Sequence, residues 1–209
     1  MNLRTCLTPL LASTALLSVG VAQAEPMTYT LEPTHTQVDV RWQHMGFSTP
    51  RASFDQVEGT LVWDAADPLK SSVKVTIPVA GVHTRVPALD DHFKAPDYFD
   101  MANHPNVTFE STKVERVGFG NRYAVTGNLT VRGVTKEVVL DTMLNGAGTH
   151  PMFNAPVVGF NATTKVKRSD FGLTESLGMV SDEIVIDITT EAVEAKALAA
   201  ALKAMAETK

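Results

Sequence analysis

The chain has 209 residues, with 18 basic and 23 acidic side chains, a net charge of −5, 44% hydrophobic residues and 20% charged ones. That length suits one good-sized domain or two small ones, and the composition excludes a disordered chain. The acidic balance argues against a nucleic-acid-binding protein, which would carry a basic stripe.

Residues 1–24 read as a secretory signal peptide. Arg4 supplies the positive start, Leu7 to Val21 is an apolar run, and Ala22-Gln23-Ala24 has the form of a cleavage site. A retained membrane anchor is disfavoured by the short apolar run and its single flanking cation. Cleavage after Ala24 would leave a chain starting near Glu25. A lipoprotein would need its cysteine at the cleavage point, and Cys6 lies far upstream. Cys6 is also the only cysteine, so disulfide scaffolds, CxxC redox motifs and cysteine-ligated metals are excluded. The roughly 185 residues that follow can bury an adequate core without a covalent staple.

Beyond Thr28 the pattern is period-two alternation, the signature of half-buried strands. Less regular strands are expected near 36–44 and 52–63, the second with a slip of phase that points to a bulge. Val73, Val75, Ile77 and Val79 alternate cleanly with polar neighbours. Residues 84–104 do not alternate and are rich in Asp, Pro and aromatics, which predicts a short helix and an ordered loop capping one end of the sheet. A further strand at 106–117 also slips in phase. Then follow Tyr123 to Val131, a less regular strand at 134–144, Val158 to Val166, and the row Ile184, Ile186 and Ile188. Turn signals at Asp67-Pro68, Gly118, Gly120-Asn121, Arg132-Gly133 and Gly146 to Gly148 separate them. About eight strands suit a closed antiparallel barrel or a two-sheet sandwich. The tail is Ala-rich, with Leu198, Ala201, Leu202 and Met205 at helical spacing. It reads equally as a cover for a strand edge, a self-association element, or a frayed surface helix.

Few residues promise chemistry. None of the six histidines makes an H-x-x-x-H pair, and no nucleophile elbow, P-loop or dinucleotide fingerprint is present. The Asn-x-Thr triplets at Asn106, Asn128 and Asn161 fall in strands and are read as chance. His44 follows Val38, Val40 and Trp42 in phase, which predicts an inward-facing imidazole, while His35 has the opposite phase. Asp90, Asp91 and His92 are the densest ionisable cluster. Three consecutive residues cannot all face one point on a helix, so Asp90 is expected to cap the helix and the others to be solvated. The inward set Val40, Trp42, Phe54, Phe109, Phe160 and Phe171 is large and apolar. On its own it favours a filled core, although an eight-stranded barrel has just enough interior for one small ligand. Arg168 extends the inward phase of Val158 to Val166 by one step. Its guanidinium would meet either a ligand headgroup at a tunnel mouth or Asp170 or Asp182.

Seven motifs then run in order across nearly the whole chain after residue 24. They are T-H-T-Q-V at 34–38, H-M-G-F-S at 44–48, D-D-H-F-K-A-P-D-Y-F-D at 90–100 and H-P-N-V-T-F-E-S at 104–111. G-N-L-T-V-R-G-V-T-K at 127–136, K-R-S-D-F-G-L at 167–173 and V-S-D-E-I at 180–184 complete the set. This order resembles the YceI-like family of periplasmic, lipocalin-like polyisoprenoid-binding proteins. The chain departs from the family pattern at Pro50, Ala52, Leu89 and Lys167, and its last fifteen or so residues exceed it.

The resemblance implies an all-β fold, an extended eight-stranded antiparallel lipocalin-like barrel over 25–192, with a short helix and loop cap and a helical tail over 193–209. It implies non-enzymatic binding, storage or transport of an isoprenoid lipid, a quinone or a polyprenyl chain, in an apolar tunnel in the periplasm. No cofactor, metal, catalytic residue or nucleic-acid partner is expected. The ligand-binding set is Val40, Trp42, His44, Phe54, Phe99, Phe109, Phe160, Arg168 and Phe171. A homodimer through the tail or an edge strand is a further expectation. Two other readings compete: a hydrolase or isomerase working through the Asp90, Asp91 and His92 region, and an outer-membrane barrel, since alternation alone does not say which face is inside.

Overall fold

The structure, a computed structural model, describes residues 25–207; the expected signal segment 1–24 lies outside the described residues. Eleven strands form one sheet: β1 (Met27–Leu31), β2 (Gln37–Arg41), β3 (Arg51–Phe54), β4 (Glu58–Trp63), β5 (Ser72–Pro78), β6 (Val82–His83), β7 (Asn106–Arg116), β8 (Arg122–Val131), β9 (Val134–His150), β10 (Ala155–Lys167) and β11 (Glu183–Glu194). Two helices accompany them, α1 (Pro87–Lys94) and α2 (Ala195–Glu207).

Pairing reduces these eleven segments to eight staves. β1 and β2 lie end to end along β11, with Leu31 opposite Ala192 and Gln37 opposite Thr189. β4 and β3 continue alongside them, and β5 and β6 alongside those. The other five strands are single staves, each antiparallel to its neighbour, and β11 meets β1 to close an eight-stave antiparallel barrel.

The phase slips are physical kinks. Between β3 and β4 the chain turns at Gln56, whose φ is +62°. In β7 the register against β8 shifts between Ser111 and Lys113. Such breaks let a long stave bend around a small barrel. Three features were not anticipated: β1 is a strand of its own, β9 runs on to His150, and β10 carries a further shift at Gly159.

Alternation decides which face is inside. Tyr123, Val125, Leu129 and Val131 of β8 are buried, as are Val107 and Phe109 of β7. The Phe109 ring lies over Gly127, where an added Cβ would run into the ring. The outer face carries ion pairs: Lys74 with Glu110 at 3.4 Å, Lys165 with Glu183 at 3.0 Å and Arg41 with Asp187 at 3.0 Å. Apolar inside and charged outside is the reverse of an outer-membrane barrel.

The two ends differ. At the cap end lie the loops 42–50, 84–105, 132–133 and 168–182; the loops 64–71, 117–121 and 151–154 lie at the other. Residues 84–104 do form a helix and ordered loop over the cap end, where Phe93 of α1 is buried against Trp42 at 5.5 Å between ring centroids. At the opposite corner α2 buries Leu198 against Ala155 and Val193, beside the β1–β11 seam. Of the four spaced apolar residues in the tail, Leu202 and Met205 are exposed.

Candidate functional site

The interior of the barrel holds a cavity of about 250 Å³. Its wall is built from the inward residues of every stave, which explains why Val40, Val75, Leu140, Ile186 and Ile188 stay only half-buried in the middle of the molecule. A filled core would have covered them. The wall is almost wholly apolar, and its hydroxyls are partly consumed within it: Thr36 and Thr190 share a hydrogen bond of 2.8 Å. Such a void favours an apolar guest over water, because a buried water needs two or more polar partners.

Eight of the nine residues singled out in the sequence lie on this wall. Val40, Trp42 and Phe54 come from the β2–β3 side, Phe109 and Phe160 from across the barrel, and Phe99, Arg168 and Phe171 from the cap end. The cap is an aromatic plug: Phe93 stacks on Tyr98 at 4.7 Å and meets Phe99 at 6.1 Å, while Phe99 meets Phe54 edge-on at 6.0 Å. Wall residues not anticipated include Leu31, Trp63 and Tyr98. Trp63 packs edge-on against Phe160 at 5.6 Å and continues the phase of Leu61, a signal that was there to be read.

His44 is the exception, and its expected inward orientation is corrected. β2 ends at Arg41, and after Trp42 the chain enters a tight loop in which His44 N–H bonds Ser48 O at 3.0 Å. Met45 and Gly46 follow with φ of +51° and +75°. Period-two phase does not extend past the end of a strand, and the His44 side chain is exposed.

Arg168 also needs correcting. It does point inward, but its guanidinium bonds neither Asp170 nor Asp182 and does not stand free at a mouth. It is 2% exposed and donates to four backbone carbonyls: Ser181 and Leu173 at 3.0 Å, Glu175 at 2.7 Å and Val180 at 3.3 Å. It therefore holds the 173–181 loop in shape. Burial raises the Tyr98 phenol above its usual 10.0, and the positive charge of Arg168 works against that rise, so Tyr98 stays neutral.

Asp182 binds Ser169 instead, accepting from its N–H at 2.9 Å and its hydroxyl at 2.7 Å. These bonds hold its carboxyl below the ordinary 3.8. A lowered folded value means stability that is complete above the unfolded value and lost as pH falls through the folded one. Asp182→Asn is therefore expected to shrink the loss of stability between about pH 7 and about pH 3, read as the difference in urea midpoints. An unchanged difference would remove Asp182 from the acid response.

The Asp90, Asp91 and His92 cluster does not converge. Asp90 sits inside α1, not at its cap, and accepts from both the N–H and the hydroxyl of Thr84 at 2.6 Å. These bonds lower its carboxyl in turn. Asp91 and His92 are exposed, with the His92 ring 5.5 Å from that of Tyr98. Among the described residues no three of His, Cys, Asp and Glu gather as metal ligands.

Known proteins match this arrangement. The YceI-like domain pattern covers residues 29–192. The UPF0312 protein of Serratia proteamaculans is 38% identical over 187 residues, 90% of this chain and 96% of that one. The YCEI protein of Campylobacter jejuni superposes with a TM-score of 0.65 at 30% identity, over 73% of this chain and 90% of its own. A polyisoprenoid binding domain from Saccharophagus degradans, implicated in plant cell wall breakdown, shares the fold with a TM-score of 0.56 at 15% identity, over 81% and 99% of the two chains. With its pattern matched over most of its length and its barrel shared with these structures, the chain belongs to the YceI-like family.

Proposed function

We propose that the protein binds an isoprenoid lipid, a quinone or a polyprenyl chain, inside the barrel and stores or carries it in the periplasm without catalysing a reaction. The observation that carries this reading is the apolar cavity inside the barrel, lined from every stave. Each CH₂ moved out of water contributes about 0.8 kcal/mol, so one isoprene unit contributes roughly 3–4 kcal/mol before the cost of ordering the chain. Such a guest needs a dry tube and little polar recognition. The fold shared with a polyisoprenoid binding domain supports the choice of guest. The signal-like segment 1–24 supports the compartment.

The test is organic extraction and mass spectrometry of protein purified from its native periplasm. A stoichiometric prenyl lipid or quinone is expected. Empty protein that also takes up no added quinone would overturn the reading.

A further inference from the structure

The cavity has to exchange its contents, and the wall shows where. At the cap end Phe93, Phe171 and Leu173 are buried. At the opposite end Trp63 is 7% exposed, and the Tyr123 ring is buried beneath the Arg116 guanidinium at 5.1 Å. The β5–β7 ladder ends two residues short of the start of β5. The pairing runs from Pro78 opposite Asn106 to Lys74 opposite Glu110 and stops. The next amide, Val73 N–H, bonds the Ser111 hydroxyl at 2.9 Å instead of a strand carbonyl. β7 then shifts register and continues to Arg116 paired with β8 alone. The 3₁₀ turn Pro68–Lys70 packs against β7 over this gap. Pro68, Ser71, Ser72, Ser111 and Val114 are all cavity wall here, and of all the wall residues Ser72 alone is exposed.

The surroundings of this seam carry exposed apolar side chains. Leu69, on the turn that roofs it, is 45% exposed. The β7–β8 hairpin at the same end holds Phe119 fully in solvent between Gly118 and Gly120, whose φ of +65° and +99° suit glycine. Val117 beside it is exposed as well. Of the nearby cations, Lys70 is countered by Asp67, Lys74 by Glu110 and Lys113 by Glu115, while Arg116 donates to the Gly120 carbonyl. Apolar tips raised beside a break in strand pairing over an apolar cavity match the interface of a lipid bilayer, where aromatic and aliphatic side chains settle at the headgroup boundary.

We propose that the β5–β7 seam under the Pro68–Lys70 turn is the doorway of the tunnel, and that Leu69, Val117 and Phe119 seat it on a lipid bilayer so that the guest passes directly between membrane and barrel. This rests on the isoprenoid reading for its cargo but not for its docking surface. Phe47, 90% exposed on the cap-end loops that also expose Met45, Leu177 and Met179, marks the competing apolar surface against which the docking is tested.

Docking is read without cargo. In a Cys6→Ser background, Phe119→Cys and Phe47→Cys each leave a single thiol for an environment-sensitive fluorophore. Vesicles of phosphatidylethanolamine and phosphatidylglycerol are expected to blue-shift the label at position 119 and leave that at 47 unchanged. Transfer is read with the same vesicles carrying an isoprenoid quinone. Leu69→Asp with Phe119→Asp is expected to slow uptake about tenfold, equivalent to about 1.4 kcal/mol, without changing the amount bound when quinone is delivered from ethanol. Phe47→Asp should transfer normally. A shift at 47 and not at 119, or unslowed uptake by the double variant, would overturn the doorway. A shift at 119 in a protein that takes up no quinone from either source supports the docking surface and sinks the isoprenoid reading instead.

Discussion

Ala162→Trp is expected to reduce isoprenoid quinone retention by a hundredfold or more, a difference of about 2.8 kcal/mol, while leaving the urea midpoint nearly unchanged. Ala162 lies in the middle of β10, opposite Thr142 of β9 and Ile188 of β11, and its side chain is cavity wall. An indole placed there enters existing space of about 250 Å³ and need not displace packed neighbours. Overpacking a filled core would instead cost about 1–3 kcal/mol of stability. Retention and stability thus separate the two interiors. Lost retention with stability intact means the guest occupies the barrel. Intact retention would put the guest elsewhere, and a large stability loss would mean that the space closes up in solution.

Arg168→Met is expected to destabilise the fold by about 3 kcal/mol or more in urea titration. Methionine preserves the apolar stem but leaves four carbonyls without the donors that now satisfy them. A hydrogen bond from a charged donor is worth roughly 1.5–3 kcal/mol, and those carbonyls that rehydrate recover part of it. Arg168→Lys should rescue little, because an ammonium is a compact charge and cannot fork across carbonyls spread from Leu173 to Ser181. A loss below about 1 kcal/mol would show that the loop is held by its other bonds, Met45 N–H to Met179 O at 2.7 Å and Ser181 N–H to Gln43 O at 2.9 Å.

The staves were legible in the sequence because a half-buried strand writes its burial into every second residue. Val73 to Val79 and Tyr123 to Val131 carry that mark without interruption, and the slips at 52–63 and 106–117 marked true kinks. The cavity was not legible. Val40 or Ile186 is written the same way whether it faces another side chain or a void, so the residues alone favoured a filled core and the family resemblance pointed the other way. Loops were the least legible. His44 was misplaced because its phase was carried past the end of β2. Arg168 was correctly placed inward, yet its partners are backbone carbonyls of an irregular loop, which leave no trace in residue types. Ser72 and Ser111, which frame the gap between β5 and β7, are unremarkable in sequence and acquire meaning only where the pairing fails.

The closing seam of the barrel also governs how the chain can assemble. Every other stave pairs with the stave that precedes or follows it in sequence, so those pairings need only local loop closure. β1 and β2 meet β11 across nearly the whole domain, Tyr29 opposite Glu194 and Arg41 opposite Val185. The first stave cannot find its second partner until the last has been made, and until then the sheet has two free edges and an apolar face turned to water. Ring formation is thus a late, long-range event. The helix that follows β11 directly in the chain buries Leu198 beside the joint, like a latch reached only once the ring can shut.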